Sequence, residues 1–313
     1  MIPESIIHFL WIGQLKPGTR YPMRLIFKKF FICTISFYPL LAIGTQFLVL
    51  PAGAMELALG SHAAFGGTAT INPALIQAPQ GGPLLSFDNG HWLGDIRISN
   101  FCLDQQIGKS TGRFSIRYAG LTNLEFRDHR PVDAPLSSFA AFGLTLETGF
   151  SYPVIAGHIG FLVRTLYMAI YDQYSTGVSL DIGYTKLFSP GWNAGISLLN
   201  IGKLSNMNIK SPELPMRLLA GVSRSMDRSR FQNLVCMTGE WAFLPQTWKV
   251  SFGNDFSWDQ FHILSGTSFT DQTSSVSIGT GLQLGRFKVF YAIRFSSQDI
   301  GMPHTFSINT RLP

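Results

Sequence analysis

Apolar and polar residues alternate along most of the chain after about residue 84. In the segment VSLDIGYT, residues 178–185, every second side chain is apolar or aromatic and those between are polar or glycine. Successive side chains of a β-strand point to opposite faces, so this period of two predicts strands with one apolar and one polar face. Similar ladders cover residues 193–198, 235–241, 275–284, 287–295 and 306–312. The pattern restricts the chain to a β-sheet whose two faces meet different surroundings.

The composition indicates what those surroundings are. Charged residues make up 13% of the 313 residues, about half the roughly 25% usual in soluble domains. The polar face of the ladders consists mainly of Ser, Gly, Thr, Asn and Gln rather than Lys and Glu. We therefore expect the apolar face to meet lipid and the uncharged polar face to line a barrel interior.

The formal net charge of +6 does not indicate a nucleic-acid partner. Most of the excess lies before residue 45, where Glu4 is the only acid beside five basic residues: Lys16, Arg20, Arg24, Lys28 and Lys29. The remainder of the chain is close to neutral, and an exported protein does not meet nucleic acid. Nucleic acid is therefore excluded as a partner.

Counting the ladders between residues 84 and 312 predicts about 14 strands, each long enough for the roughly 9–11 residues that cross a bilayer. Aromatic residues fall near the predicted strand ends, where they form the girdles of membrane barrels. They are Tyr152, Tyr167, Tyr171, Tyr174, Phe188, Trp192, Trp241, Trp248 and Trp258. The predicted fold is an all-β transmembrane antiparallel β-barrel with a small N-terminal hatch segment. A soluble β-sandwich is the less favoured alternative.

The N-terminus is typical of an export signal. From Met23, a basic stretch is followed by an apolar stretch and by small residues at Ala42 and Gly44. We predict a signal peptide over residues 23–44, preceded by a non-native extension over 1–22, with a retained membrane anchor as the alternative. Residues 45–82 then form the hatch and residues 83–313 the barrel.

The hatch segment contains glycines that suggest a phosphate-binding loop at first sight. Gly60 and Gly66 are separated by five residues rather than four, and Gly66-Gly67 is followed by Thr68 without a lysine. We therefore interpret the small residues as allowing close packing. Asn72 is expected to cap a turn, and Pro73 to end any preceding helix.

No group of residues indicates catalysis, so we expect no enzyme activity, no cofactor and no metal. The histidines are scattered, and Cys102 and Cys236 are too few and too distant for a metal site. The carboxylates of Asp255 and Asp259 are interpreted as part of an exposed loop. The run GTGLQLG, Gly279–Gly285, is interpreted as a strand whose glycines relieve crowding against a plug or a neighbouring strand.

Three segments in fixed order carry a resemblance to a known family. They are ELALGSHAAFGGTATINPALI at 56–76, GVSLDIGYTKLFSPGWNAGISLLNIGKL at 177–204 and LPMRLLAGVS at 214–223. Together they resemble the PorV/PorQ family of outer-membrane proteins, relatives of the FadL-type barrels. The matching hatch residues are Gly66, Gly67, Asn72, Pro73 and Ala74, and the matching strand residues are Asp181, Gly183, Asn200, Gly202, Leu214 and Pro215.

The resemblance implies a non-enzymatic barrel of the bacterial outer membrane that takes part in type IX protein secretion. Its implied partners are type IX secretion components, cargo proteins that carry a C-terminal domain, and outer-membrane lipid or lipopolysaccharide. The resemblance leaves open whether the role is PorV-like cargo handling or PorQ-like surface attachment. The alternative function is FadL-like transport of hydrophobic small molecules.

Overall fold

The chain forms a closed antiparallel β-barrel of 14 strands in sequence order, with β1 paired to β14. This computed structural model describes residues 44–65, 70–76, 82–127, 135–155, 157–208, 210–298 and 301–313. The predicted barrel and its small N-terminal hatch are confirmed. The predicted extension and signal peptide lie outside the described residues. Among the described helices, none has the length and apolar composition needed to cross a bilayer.

The strands run β1 Leu84–His91, β2 Arg97–Ile107, β3 Ser110–Phe126, β4 Ser137–Val154, β5 Gly157–Ile170, β6 Gln173–Ser189, β7 Trp192–Leu204, β8 Arg217–Arg228, β9 Phe231–Ala242, β10 Thr247–Trp258, β11 Phe261–Thr270, β12 Ser274–Leu284, β13 Phe287–Ser296 and β14 His304–Arg311. The hatch contains one short α-helix, α1 Ala54–Leu59, and 3₁₀ turns at Thr45–Val49 and Pro73–Leu75.

The two ends of the barrel differ in their connections. At one end, which we call the turn end, β2–β3, β4–β5, β6–β7, β8–β9, β10–β11 and β12–β13 are each joined by two residues. The start of β1 and the end of β14 lie at the same end. The opposite end, the loop end, carries longer connections such as residues 205–216 between β7 and β8. In bacterial outer-membrane barrels such short turns face the periplasm.

The period of two separates the outer and inner faces as predicted. On β12 the side chains of Val276 and Ile278 are exposed on the outside, whereas Ser277 is buried in the lumen. Aromatic side chains of the outer face also meet near strand ends, as Phe231 and Trp258 do at the turn end with ring centroids 6.0 Å apart. The barrel therefore presents an apolar surface to lipid and a polar surface to its lumen.

The described residues of the hatch fold into the lumen. Its first described residues lie toward the loop end, where the Thr45 hydroxyl donates to the Glu213 carbonyl at 2.6 Å. Helix α1 then packs against β10 to β14, and the turn Pro73–Leu75 packs against β4, β5 and β6. Because each hatch element rests on strands from a different part of the wall, the hatch spans the lumen.

Candidate functional site

Asn72 connects the hatch to the barrel wall. Its side-chain oxygen accepts a hydrogen bond from the Ala74 amide at 3.0 Å, which caps the following 3₁₀ turn as expected. Its side-chain nitrogen donates to the carbonyls of Ala63 at 2.7 Å, Tyr184 at 3.3 Å and Ile196 at 3.4 Å. Asn72 is fully buried. One amide therefore ties two parts of the hatch to strands β6 and β7.

Inward-facing glycines form the surface on which the hatch rests. A Cβ atom at Gly183 would lie 1.8 Å from Asn72 Oδ1, and one at Gly160 would lie 2.1 Å from the Pro73 carbonyl carbon. No side chain fits at either position without moving the hatch. A Cβ atom would also come within 3.0 Å of hatch atoms at Gly143, Gly195, Gly253, Gly266 and Gly279. We call these seven residues the glycine belt.

Several motif residues belong to the glycine belt or contact it. Asn72, Pro73 and Gly183 of the predicted set meet at one place, where the hatch crosses β5 and β6. The interpretation of Gly279 is confirmed, because a Cβ atom there would lie 2.9 Å from the Ala58 side chain of the hatch. Gly66 and Gly67 lie outside the described residues, so their predicted packing stays a prediction.

The remaining motif residues meet near the loop end at a β-bulge. Two residues of β7 oppose Asp181 of β6, and Asn200 has a φ of 61° there. The Asp181 carboxylate accepts the Asn200 backbone amide at 2.6 Å, and the Asn200 side chain donates to the Pro215 carbonyl at 2.9 Å. Leu214 packs with Phe47 of the hatch in a buried apolar cluster.

Gly202 serves the wall rather than the hatch. A Cβ atom at Gly202 would lie 2.1 Å from the carbonyl oxygen of Val178 on the neighbouring strand. The strand residues of the motif therefore have two structural roles. Asp181, Asn200 and Pro215 hold the bulge, whereas Gly202 allows β6 and β7 to approach each other.

Buried charges line the lumen, and the expectation of an uncharged inner face is wrong here. Arg164 contacts Glu147 at 2.9 Å and Asp181 at 2.5 Å, with all three side chains at most 4% exposed. Asp181 Oδ2 has this ion pair but no hydrogen bond of good geometry. Burial is tolerated because each charge has an opposite partner.

Other ion pairs repeat this arrangement around the lumen. Arg113 pairs with Asp104 at 2.5 Å, and Glu240 contacts both Arg217 and Lys249 at 3.1 Å. The sequence could have located these residues, because each of them occupies a polar-face position of an alternating strand and therefore faces the lumen. Composition alone did not reveal them.

Two further arginines of the wall hold the hatch backbone. Arg117 donates to the Leu50 carbonyl, and Arg294 donates to the Leu57 carbonyl at 2.8 Å. Arg294 also lies over the Trp92 ring, 5.7 Å from its centroid. Within the described residues, neither guanidinium forms an ion pair, and neither Nε atom has a hydrogen-bond partner. These cations therefore use hatch carbonyls as their acceptors.

A cavity of about 1090 Å³ lies between the hatch and the turn end. Met55, Phe65 and Leu75 of the hatch line its inner side. Apolar wall residues such as Leu84 and Leu234 line it together with polar residues such as Ser86. Its volume is slightly above the range of about 300–1,000 Å³ that is typical of pockets for small organic molecules. The cavity and the hatch that closes it form the candidate functional site.

The lumen also contains one acid–histidine pair. Asp255 lies in β10 and contacts the His262 ring at 3.1 Å. The interpretation of Asp255 as an exposed loop residue is wrong, because its polar-face position turns it into the lumen. Asp259 lies in the turn between β10 and β11, as expected. Across the described residues, no three His, Cys, Asp or Glu side chains are placed to hold a metal ion.

His62 is a buried histidine of the hatch that contacts the barrel wall. Its Nε2 lies 2.8 Å from the Leu59 carbonyl, and its Nδ1 lies 3.1 Å from the Thr238 hydroxyl, which also accepts the Ala63 amide at 3.2 Å. The neutral ring thus donates from Nε2 and accepts at Nδ1. The pKa of His62 is lowered to about 4, mainly by burial; the hydrogen bond to the Leu59 carbonyl raises the pKa and the nearby Lys249 lowers it.

We expect acidification to release the hatch. A ring exposed to solvent takes up a proton near pH 6.5, whereas the seated ring does so only near pH 4. The stability of the seated hatch is therefore complete above pH 6.5 and falls as the pH drops toward 4, by about 3 kcal/mol in total. Protease sensitivity of the hatch, measured against pH in reconstituted barrels, should rise within this window. His62→Gln should flatten the profile, and an unchanged profile in that variant would contradict the assignment.

The fold resembles that of solved membrane channels. The monoaromatic hydrocarbon channel CymD superposes with a TM-score of 0.60 at 12% identity, covering 83% of this chain and 97% of CymD. The Pseudomonas putida toluene transporter TodX gives 0.60 at 11% identity, covering 82% and 96%. A Pseudomonas aeruginosa FadL homologue gives 0.53 at 10% identity, covering 83% and 98%. No family model and no curated protein matches the sequence.

These comparisons define the class of protein. The chain is a membrane-spanning β-barrel that shares the fold of CymD, TodX and the FadL homologue. At identities of 10–12%, the likeness concerns the fold alone. The narrower resemblance to the PorV/PorQ family rests on the sequence motifs.

Proposed function

We propose that this protein is a non-enzymatic channel of the bacterial outer membrane for hydrophobic small molecules. The observation that carries the proposal is the cavity of about 1090 Å³, which is closed on its inner side by the hatch and lined by apolar residues of hatch and wall. Two proteins of the same fold are a monoaromatic hydrocarbon channel and a toluene transporter. An exposed apolar outer face and the predicted export signal support a location in the outer membrane.

Transport requires a path past the hatch. Toward the loop end, the lumen is filled by a buried apolar cluster that includes Phe47, Leu166, Leu204 and Leu214. An apolar molecule replaces apolar contacts when it enters such a cluster, whereas water and ions lose their hydration there. The cluster therefore favours hydrophobic molecules over polar solutes. Movement of the hatch then connects the cluster with the cavity.

The proposal is tested by uptake. A strain lacking its own hydrocarbon channels is given the gene, and entry of labelled toluene is measured beside entry of a small sugar. We expect faster entry of toluene and no change for the sugar. A matched variant with Met55→Asp and Phe65→Asp in the cavity lining should lose most of the toluene effect. Equal entry with and without the protein would refute the proposal.

A second candidate function is the role in type IX secretion implied by the PorV/PorQ resemblance. It rests on the sequence motifs, whose residues come together in the fold where Asn72 meets Gly183 and where Asn200 joins Asp181 to Pro215. In this proposal the loop end contacts secretion components and cargo proteins with a C-terminal domain, and the outer rim contacts lipopolysaccharide.

Gene deletion in the native bacterium separates the two functions. Loss of cargo proteins from the cell surface with normal hydrocarbon uptake supports secretion. Normal surface cargo with slower hydrocarbon uptake supports the channel. Chemical crosslinking at the loop end then tests the partners. It should capture secretion components only if the protein takes part in secretion.

A further inference from the structure

Two histidines lie side by side at the seam where the barrel closes. His91 is the last residue of β1 and His304 is the first residue of β14, and the two are directly opposite each other across the sheet. Their rings stack with centroids 5.2 Å apart and an angle of 23° between the ring planes. We call these two residues the histidine pair. Sequence spacing does not reveal it, because only closure of the barrel brings the first and last strands together.

The histidine pair lies on the outer face of the barrel at the loop end. Its strand neighbours Gly90 and Thr305 are buried and face the lumen, so alternation turns both imidazoles to the outside. Both histidines are partly buried, and the Tyr291 ring lies beside them with its centroid 6.3 Å from that of His304. The pair is therefore separate from the cavity, whose lining includes neither histidine.

The hydrogen bonding of His304 suits a metal ligand. Its Nδ1 lies 3.3 Å from the Met302 carbonyl oxygen. A carbonyl only accepts hydrogen bonds, so Nδ1 carries the proton and Nε2 presents its lone pair. Histidines that bind metal ions commonly donate their second ring nitrogen to a carbonyl in this way. The contact with Met302 therefore sets the tautomer in which Nε2 can bind a cation.

The geometry of the histidine pair allows one ion to contact both rings. An ion bound by two imidazoles lies about 2.0–2.1 Å from each nitrogen, so the two nitrogens must come within about 4 Å of each other. Rings with centroids 5.2 Å apart meet this condition by rotation about χ2, because the nitrogens lie at the ring edges. Arg97, which is opposite His91 on β2, is exposed, so solvent screens its charge.

We propose that the histidine pair binds a divalent transition-metal ion such as Zn²⁺ or Cu²⁺, which clamps β1 to β14. Imidazole nitrogen suits both ions. Water completes the coordination, because no third His, Cys, Asp or Glu side chain joins the pair in the described part of the chain. β1 and β14 are the shortest strands of the barrel, with 8 residues each, so a metal bridge reinforces a short joint. The proposal goes beyond the channel function and does not depend on it.

Metal binding is measured on the purified full-length barrel, without a polyhistidine tag, in a neutral amphipathic polymer. In calorimetric titration with Zn²⁺, the affinity of the tightest site should fall by about tenfold or more in His91→Asn and in His304→Asn, because two linked ligands bind far more tightly than one. Electron paramagnetic resonance with one equivalent of Cu²⁺ should show two nitrogen ligands in the wild type and one in each variant.

The matched control is the double variant His158→Asn, His262→Asn, which removes two imidazoles that line the cavity instead. It should leave the Zn²⁺ affinity and the Cu²⁺ spectrum unchanged. An equal loss in this control would overturn the proposal. Unchanged affinity in both single variants, or a wild-type spectrum with only one nitrogen ligand, would overturn it as well.

The clamp is tested by the temperature at which the folded barrel unfolds, read from its migration on a gel. Zn²⁺ at about 100 times its Kd should raise this temperature by about 5 °C in the wild type, since an ion bound only by the folded state stabilises that state. A chelator should reverse the rise. The double variant His91→Asn, His304→Asn should show none at the same Zn²⁺ concentration. No rise in the wild type, or an equal rise in both proteins, would refute the clamp.

Discussion

Replacing Arg164 with methionine is expected to destabilise the barrel by about 3–5 kcal/mol. The guanidinium is the shared partner of Glu147 and Asp181, whose side chains are 2% and 0% exposed. Without it, two carboxylates remain buried in the lumen with no opposite charge in contact. The same arginine also donates to the Asn200 side chain at 3.1 Å, so the β-bulge between β6 and β7 loses a support.

Urea unfolding in lipid vesicles, followed by tryptophan fluorescence, measures this loss. The control is Arg127→Met, which removes an arginine from an ion pair of similar length, 2.7 Å, that is 46% and 53% exposed. Solvent screens such a pair, and its removal should cost at most about 1 kcal/mol. Arg164→Lys keeps the charge and should recover part of the stability. Equal effects of the two methionine variants would show that burial of the network does not matter.

Replacing Gly183 with valine is expected to expel the hatch from its seat while the barrel still forms. The first added carbon would lie 1.8 Å from Asn72 Oδ1, and Asn72 cannot shift alone because its side chain also donates to the Ala63 carbonyl of the hatch at 2.7 Å. Overpacking of this kind costs about 1–3 kcal/mol where neighbours can shift. Here the neighbour is the fully buried Asn72 that caps the turn. Displacement of the whole turn therefore costs less free energy than a local shift.

The control for this variant is Gly239→Val. Gly239 also lies in a strand, but a Cβ atom there would have nothing within 4 Å. Planar-bilayer recordings should show a larger conductance for Gly183→Val than for the wild type, and no change for Gly239→Val. Limited proteolysis should cut residues 45–82 in the first variant only. A Gly183→Val barrel with wild-type conductance and an uncut hatch would mean that the glycine belt does not seat the hatch.

Local sequence patterns were sufficient to predict the wall of the barrel. Alternation in segments such as residues 178–185 assigns each side chain to one face, because the period of a strand does not depend on its neighbours. Glycine, proline and asparagine indicated the breaks between strands. The Asn72-Pro73-Ala74 motif also predicted its own local structure, since the cap bond from Asn72 to the Ala74 amide spans two residues.

The candidate site required contacts that no local pattern contains. Composition favoured an uncharged lumen, yet Arg164 lies between two acids that are 17 residues away in β4 and β6. The same holds for Asp255, which an apparent loop context assigned to the surface. A short acidic segment, such as the one that contains Asp255, does not show by itself whether a strand continues through it. Strand pairing decides that question.

By itself, the sequence determined a β-barrel with two chemically distinct faces, its approximate strand number and the presence of a small-residue hatch. The tertiary structure alone decided where the hatch rests, which glycines receive it, which charges pair in the lumen and where the cavity lies. The physical reason is the separation along the chain over which each kind of interaction acts. Side-chain alternation and turn chemistry act between residues that are neighbours in the chain. Closure of the barrel instead brings β1 beside β14 and Asn72 beside Gly183, and only those long-range contacts create a site.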